Sequence, residues 1–164
     1  MIDLEKIKNL IEAGDVEGLA KLLSGSYPRG LVGERDALVT LLMKAGLSHA
    51  EAVRWAGRLE KEGYAHHLPG TSPRWVFTSK PVSFHELAEL IKSEWAGFVG
   101  KSSEAPEEAL EFFERHLGLD REVAEEVYRG LEAAGYASIV YQEAPEINRE
   151  RVLFEFPEVF LKQV

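Results

Sequence analysis

The chain has 164 residues, a formal net charge of −9 and 45% hydrophobic residues. That length accommodates one ordinary domain or two small ones, with enough apolar side chain to bury a core. The acidity excludes a protein that coats nucleic acid over its whole surface. The absence of cysteine excludes disulfides, thiolate nucleophiles and Cys-type zinc sites.

No apolar run approaches the ~18 residues of a membrane span. The opening MIDLEKIKNLIEAGD carries no leader-peptide pattern, so a cytoplasmic protein without membrane contact is expected. Asn, Gln and Met occur twice each beside abundant Glu, a composition that leans towards a thermophile.

Residues 1–13 place Leu4, Ile7, Leu10 and Ile11 at helical spacing and predict an extra N-terminal helix packed on the domain that follows. Asp15 then caps a helix with Leu19, Leu22 and Leu23 as its apolar stripe. The next segment, GLVGERD, is a poor strand, and none is expected there. DALVTLLMKAG, from Asp36, reads as a second helix stopped by Gly46. Ser48-His49-Ala50-Glu51 is a capping box that starts a third helix through Glu62, with Ala52, Trp55, Ala56 and Leu59 facing inward. Gly63 stops it. YAHHL, PGTSP and RWVFT follow as strand, turn and strand, with Trp75 and Phe77 on one face.

Beyond Lys80-Pro81, which ends that strand, the pattern recurs. Ser83-Phe84-His85-Glu86 is a capping box, followed by Leu87, Leu90 and Ile91. GFVGKSSEAP is again a poor strand. PEEALEFFERHLG has Pro106 at a first helical position and Gly118 as the stop, and Asp120 caps a helix to Ala134. YASIVYQ and RVLFEF form the last hairpin. Shifted by 72 residues, Asp36–Ala65 overlies Glu108–Ala137 without a gap, with ten of 30 positions identical. The clearest stretch is LEKEGYA over LEAAGYA. GLVG echoes GFVG, and LAKLL echoes LAELI. An internal duplication is therefore read, with copies at 14–80 and 83–164.

Each copy gives three helices and a hairpin, with a tight glycine turn between the second and third helices, the mark of a helix-turn-helix. The fold class is α+β, mainly α with small β-hairpins. The G-L-S…L-E-x-x-G-Y phrase and this element order resemble the winged-helix superfamily over nearly the whole chain. That resemblance implies that the third helix of a copy enters a DNA major groove and that the hairpin is the wing.

Charge separates the two copies. Residues 36–80 carry six basic and four acidic groups, and residues 108–164 carry six basic and 13 acidic. In the first copy Arg54, Arg58 and Lys61 fall on one face of the third helix, His49 stands at its start, and the hairpin adds His66 and Arg74. These six are the candidate DNA contacts, supplying point charges for phosphate and Arg donors for base edges. A solvated face with local ion pairs is the competing reading, since Glu51, Glu60 and Glu62 share that helix. The equivalent positions of the second copy, Glu126, Gly130 and Ala133, with Glu143, Glu146 and Glu150 against Arg149 and Arg151 in its hairpin, predict an acidic face that repels DNA. That face either only solubilises the domain or binds a protein partner or self-associates.

Motifs for chemistry are lacking. His66 and His67 are adjacent in a strand and point to opposite faces, while His49, His85 and His116 have no partner at metal-ligand spacing. No phosphate-loop or nucleophile-elbow pattern occurs. Trp55, Phe112, Phe113 and Tyr128 read as packing, and Trp95 is open. No catalytic residue, metal or cofactor is expected, and the chain is read as a non-enzyme. Two functions follow from the resemblance: DNA association through the first copy, or a protein-interaction adaptor using both copies. Acidic tandem winged-helix proteins of the second kind occur among chromosome-segregation accessory subunits and membrane-sorting complexes.

Overall fold

A computed structural model describes residues 2–94, 98–99, 105–143 and 148–162. The chain forms two compact units, Met1–Val82 and Ser83–Val164. Unit 1 runs α1 (Leu4–Glu12), α2 (Val16–Ser26), β1 (Leu31–Val32), α3 (Asp36–Lys44), α4 (His49–Lys61), β2 (Ala65–Leu68) and β3 (Arg74–Phe77). Unit 2 runs α5 (Phe84–Glu94), β4 (Phe98–Val99), α6 (Ala105–Leu117), α7 (Arg121–Ala133), β5 (Ala137–Glu143), β6 (Asn148–Phe154) and α8 (Glu158–Leu161). From α2 and from α5 onward the two orders coincide up to the hairpin. The two antiparallel sheets also coincide, as β1-β3-β2 and β4-β6-β5. The chain is thus α+β.

Side-chain caps set the helix starts. Asp3 accepts from the Lys6 N–H and Asp15 from the Gly18 N–H. Ser48 and Glu51 close a reciprocal capping box at α4, and Asp120 caps α7 by accepting from Val123. Each cap satisfies a backbone donor that the first helical turn leaves free.

The repeated L-E-x-x-G-Y has a specific geometry. At the end of α4 the Tyr64 N–H donates to the Leu59 carbonyl at 2.9 Å and the Gly63 N–H to the Glu60 carbonyl at 3.1 Å. At the end of α7, Tyr136 donates to Leu131 at 2.8 Å and Gly135 to Glu132 at 3.0 Å. This is the paired closure of a helix end that needs a left-handed residue, and Gly63 and Gly135 have φ of +87° and +82°. The same tyrosines then accept, through their carbonyls, from Thr78 and Glu155 beyond the returning strands. One phrase therefore stops the helix and joins the sheet.

Two expectations are corrected. The poor-strand segments do form strands: β1 pairs with β3 as Leu31↔Trp75 and Val32↔Arg74, and β4 pairs with β6 as Phe98↔Val152 and Val99↔Arg151. Glycine there is no breaker. A Cβ on Gly30 would lie 2.7 Å from the Trp75 carbonyl oxygen, so its absence lets the chain pass close to β3. The short turn α8 was also not foreseen. It buries Phe160 against Tyr136 and Phe156, with ring centroids 5.5 and 5.8 Å away.

The core of unit 1 joins Ile7 of α1, Leu19 and Leu23 of α2, Leu38 and Leu42 of α3, Leu59 of α4, and Trp75 and Phe77 of β3. The N-terminal helix contributes Ile7 to this core. The hairpin is buried on both faces. Ala65, His67, Trp75 and Phe77 occupy one, while His66, Leu68 and Val76, on the other, are buried as well.

Candidate functional site

Helix α4 is tethered at one end by its capping box and along one side by the burial of Ala52, Ala56 and Leu59. At about 100° per residue, the opposite side carries Ala50, Val53, Arg54, Gly57 and Lys61, and all five are exposed. His49 is exposed on the flank. Among the described residues, His49, Arg54 and Lys61 make no hydrogen bond or ion pair.

The other three predicted contacts are placed differently. Arg58 is exposed, but its Nε donates to Glu62 Oε2 at 2.7 Å and its guanidinium lies 5.0 Å from the centre of the Trp55 ring. It is neutralised within its own helix by Glu62, the carboxylate that the local-pair reading assigns to Arg54. Arg74 is half-buried and bound to backbone carbonyls. His66 is buried, with Nε2 3.0 Å from Thr78 Oγ1, so it lies off the exposed face. The geometry therefore puts Arg54 and Lys61 on one side of α4, leaves His49 on the flank at the helix start, and separates Arg58, His66 and Arg74 from that set.

Arg35 ties α4 to the hairpin. Its Nη2 donates to Glu60 Oε1 at 2.6 Å, its guanidinium lies 5.2 Å from the Trp75 ring centre, and Trp75 Nε1 donates to its carbonyl at 3.1 Å. On β2, His67 Nε2 lies 3.1 Å from the Gly33 carbonyl, and its ring centroid is 5.2 Å from that of Trp75. The carbonyl fixes the tautomer with the proton on Nε2, while buried Nδ1 has no partner. Burial, above all, pulls the His67 pKa below its ordinary value, and Arg35 adds to this; the Gly33 bond and the Glu34 and Glu60 charges oppose it.

Helix α7 is a different surface from the one its sequence predicts. Glu126, Gly130 and Ala133, expected to form an exposed acidic face, are all buried. The reason is the width of the buried arc. Val123, Ala124, Val127, Tyr128 and Leu131 are buried too, and the small Gly130 and Ala133 continue the packed side round the helix. The acidic hairpin positions Glu143, Glu146 and Glu150, with Arg149 and Arg151, and also Trp95, lie outside the described side chains.

The remaining histidines make separate local contacts. His85 Nε2 meets the Phe160 carbonyl at 3.2 Å and its ring stacks on Phe160 at 4.6 Å, while the His116 ring lies 4.5 Å from that of Phe112. Among the described residues no three His, Asp or Glu side chains gather as metal ligands. No described helix is long and apolar enough to cross a membrane.

Besides Arg35, Arg29 escaped the sequence reading. Arg29 is exposed beside Arg74, in the Tyr27-Pro28-Arg29-Gly30 turn. The Pro-x-Gly punctuation was the available signal. The chain matches no family model, no curated protein and no solved structure.

Proposed function

We propose that the chain is a non-catalytic protein of two winged-helix modules, derived by internal duplication, that contacts duplex DNA through α4. The shared element order, the common sheet order and the twice-made L-E-x-x-G-Y helix end support the duplication. The observation that carries the DNA reading is the outward side of α4. It is convex, opposite the core, small at Ala50 and Gly57, and bears two cations, Arg54 and Lys61, with no carboxylate spent on them. A major groove admits such a helix, and phosphates reward unspent cations by counterion release.

The test is binding of the whole protein to mixed duplex DNA over a salt series. Affinity should fall with salt, and Arg54→Glu with Lys61→Glu should abolish binding while the melting curve stays nearly unchanged, since both residues are exposed. Undiminished binding by the double variant removes α4 from the reading. A second reading, protein docking on the same side of α4, is favoured by one feature. Val53 is 47% exposed at one edge of that side, and the Arg58–Glu62 pair makes the opposite border mixed in sign. Absence of DNA binding even at low salt favours that alternative, with Val53→Asp as the variant that should then lose the partner.

A further inference from the structure

Arg74 stands at the start of β3, opposite Val32 of β1. Its Nε donates to the Ser72 carbonyl at 3.1 Å and its Nη1 to the Arg29 carbonyl at 2.9 Å. These bonds fix the plane of the guanidinium but use only part of its donor set, which numbers about five N–H groups. Both acceptors are neutral, so the charge is positioned without being cancelled. Among the described residues neither Arg74 nor Arg29 has a carboxylate partner.

The turn that brings Arg29 here is built for it. The Gly30 N–H donates to the Tyr27 carbonyl at 2.9 Å, and Gly30 takes φ +88° in a place where a Cβ would strike the Trp75 carbonyl oxygen. Burial first, and then the charge of Arg29, pull the Arg74 guanidinium below its ordinary value. Two cations therefore stand near each other where the turn meets the strand, although like charges repel. By contrast, two neighbouring arginines have carboxylates: Arg35 has Glu60, and Arg58 has Glu62.

We propose that Arg29 and Arg74 form a phosphate clamp. Planar guanidinium forks suit phosphate oxygens, and the anion supplies the missing countercharge. Arg74 provides a fixed fork through its remaining N–H groups. Arg29, exposed in the adjoining turn, closes on the other side. The phosphate has two sources, a free phosphate ion or ester and a phosphodiester of the duplex. The second source rests on the DNA reading above; the clamp itself does not.

The experiment uses the full chain, labelled with nitrogen-15, and the Arg29→Ala variant. Arg29 is exposed and its side chain makes no bond, so the variant keeps the fold, which a thermal melt verifies. Inorganic phosphate is titrated against chloride at matched ionic strength, and the Gly30, Val32 and Arg74 amide resonances are followed. Duplex binding is measured over a salt series with both proteins.

Saturable shifts at those amides, weakened about tenfold in Arg29→Ala, establish the clamp. A salt slope reduced by about one in the variant assigns it to the DNA backbone, with or without a response to free phosphate. Phosphate-dependent shifts with duplex binding that is absent, or identical in the two proteins, assign it to a small phosphate ligand. No saturable phosphate response together with an unchanged duplex slope overturns the clamp. Loss of duplex binding in Arg54→Glu/Lys61→Glu but not in Arg29→Ala leaves the α4 reading standing by itself.

Discussion

Helices α4 and α7 occupy the same place in two units of like order, yet they spend their surfaces differently. α4 buries three of its 13 residues, whereas α7 buries eight of 13. The inward stripes agree: Ala52 and Leu59 answer to Ala124 and Leu131, and all four are fully buried. The difference lies on the outward side, where Arg54, Arg58 and Lys61 in α4 stand against buried Glu126, Gly130 and Ala133 in α7. A shared fold thus requires only the stripe and the stop, and the rest of the helix is available for other use. In α4 that use is an open, cationic side; in α7 it is burial.

Placing the α4 residue into α7 breaks the comparison most directly. Ala133→Lys puts an ammonium into a buried position and should cost roughly 2–4 kcal/mol, through overpacking and a desolvated charge. Lys61→Ala, the reverse change in α4, should stay within about 0.5 kcal/mol, as exposed substitutions do. Urea unfolding of the two variants is the measurement. Equal, small effects would mean that α7 is as open as α4.

The two helix stops sharpen the comparison at a smaller scale. Alanine at either glycine must take a left-handed φ, at about 1–2 kcal/mol. The surroundings then separate them. A Cβ at Gly63 would meet Pro81 and the Val82 nitrogen at 3.2–3.3 Å, and a Cβ at Gly135 would meet nothing within 4 Å. Gly63→Ala should therefore lose about 1 kcal/mol more than Gly135→Ala in paired denaturant melts. A larger loss at Gly135 would show that the two stops are not equivalent in packing.

These contrasts also mark what the sequence could and could not disclose. Caps, stops and inward stripes are local, so Asp15, Ser48, Asp120, Gly63 and Gly135 could be placed from neighbours a few positions away. β1 could not, because a strand of two residues is held by its partner β3 and not by its own propensity. Nor could the burial of His66, since alternation along AHHL assigns it an outward face while long-range packing covers both faces of the hairpin. Glu126 misled for the same reason: a carboxylate reads as solvated until the Gly130 and Ala133 that flank its side of the helix are counted as packing. Of the candidate contacts, Arg54 and Lys61 were legible because an exposed helix face follows from periodicity alone. The fixing of Arg74 by Arg29 and Ser72 depends on a turn some 45 residues earlier in the chain.

Unit 1 also carries an acid-sensitive contact. Neutral His67 bonds Gly33, and protonation would place a charge on buried Nδ1 close to Arg35. Its pKa is lowered in the folded state, so its contribution is present in full above the unfolded value of about 6.5 and is lost as pH falls below it. His67→Gln should flatten the fall in stability between about pH 7.5 and 5.5 relative to the unsubstituted protein. Parallel pH profiles of the two would remove His67 as the cause.

The smallest expected change returns to the outward side of α4 and separates stability from function. Gly57 is in the helix interior, and a Cβ there would meet nothing within 4 Å. Glycine at such a site is worse than alanine by about 0.5–1 kcal/mol, so the fold alone favours Gly57→Ala. The variant should unfold at higher denaturant by that amount. If α4 lies against DNA, the added methyl stands between Ala50, Arg54 and Lys61 on the contact side and should weaken duplex binding severalfold while the protein becomes more stable. A gain in stability with unchanged binding would mean that nothing approaches this part of the helix closely, and that Arg54 and Lys61 reach their partner from a distance.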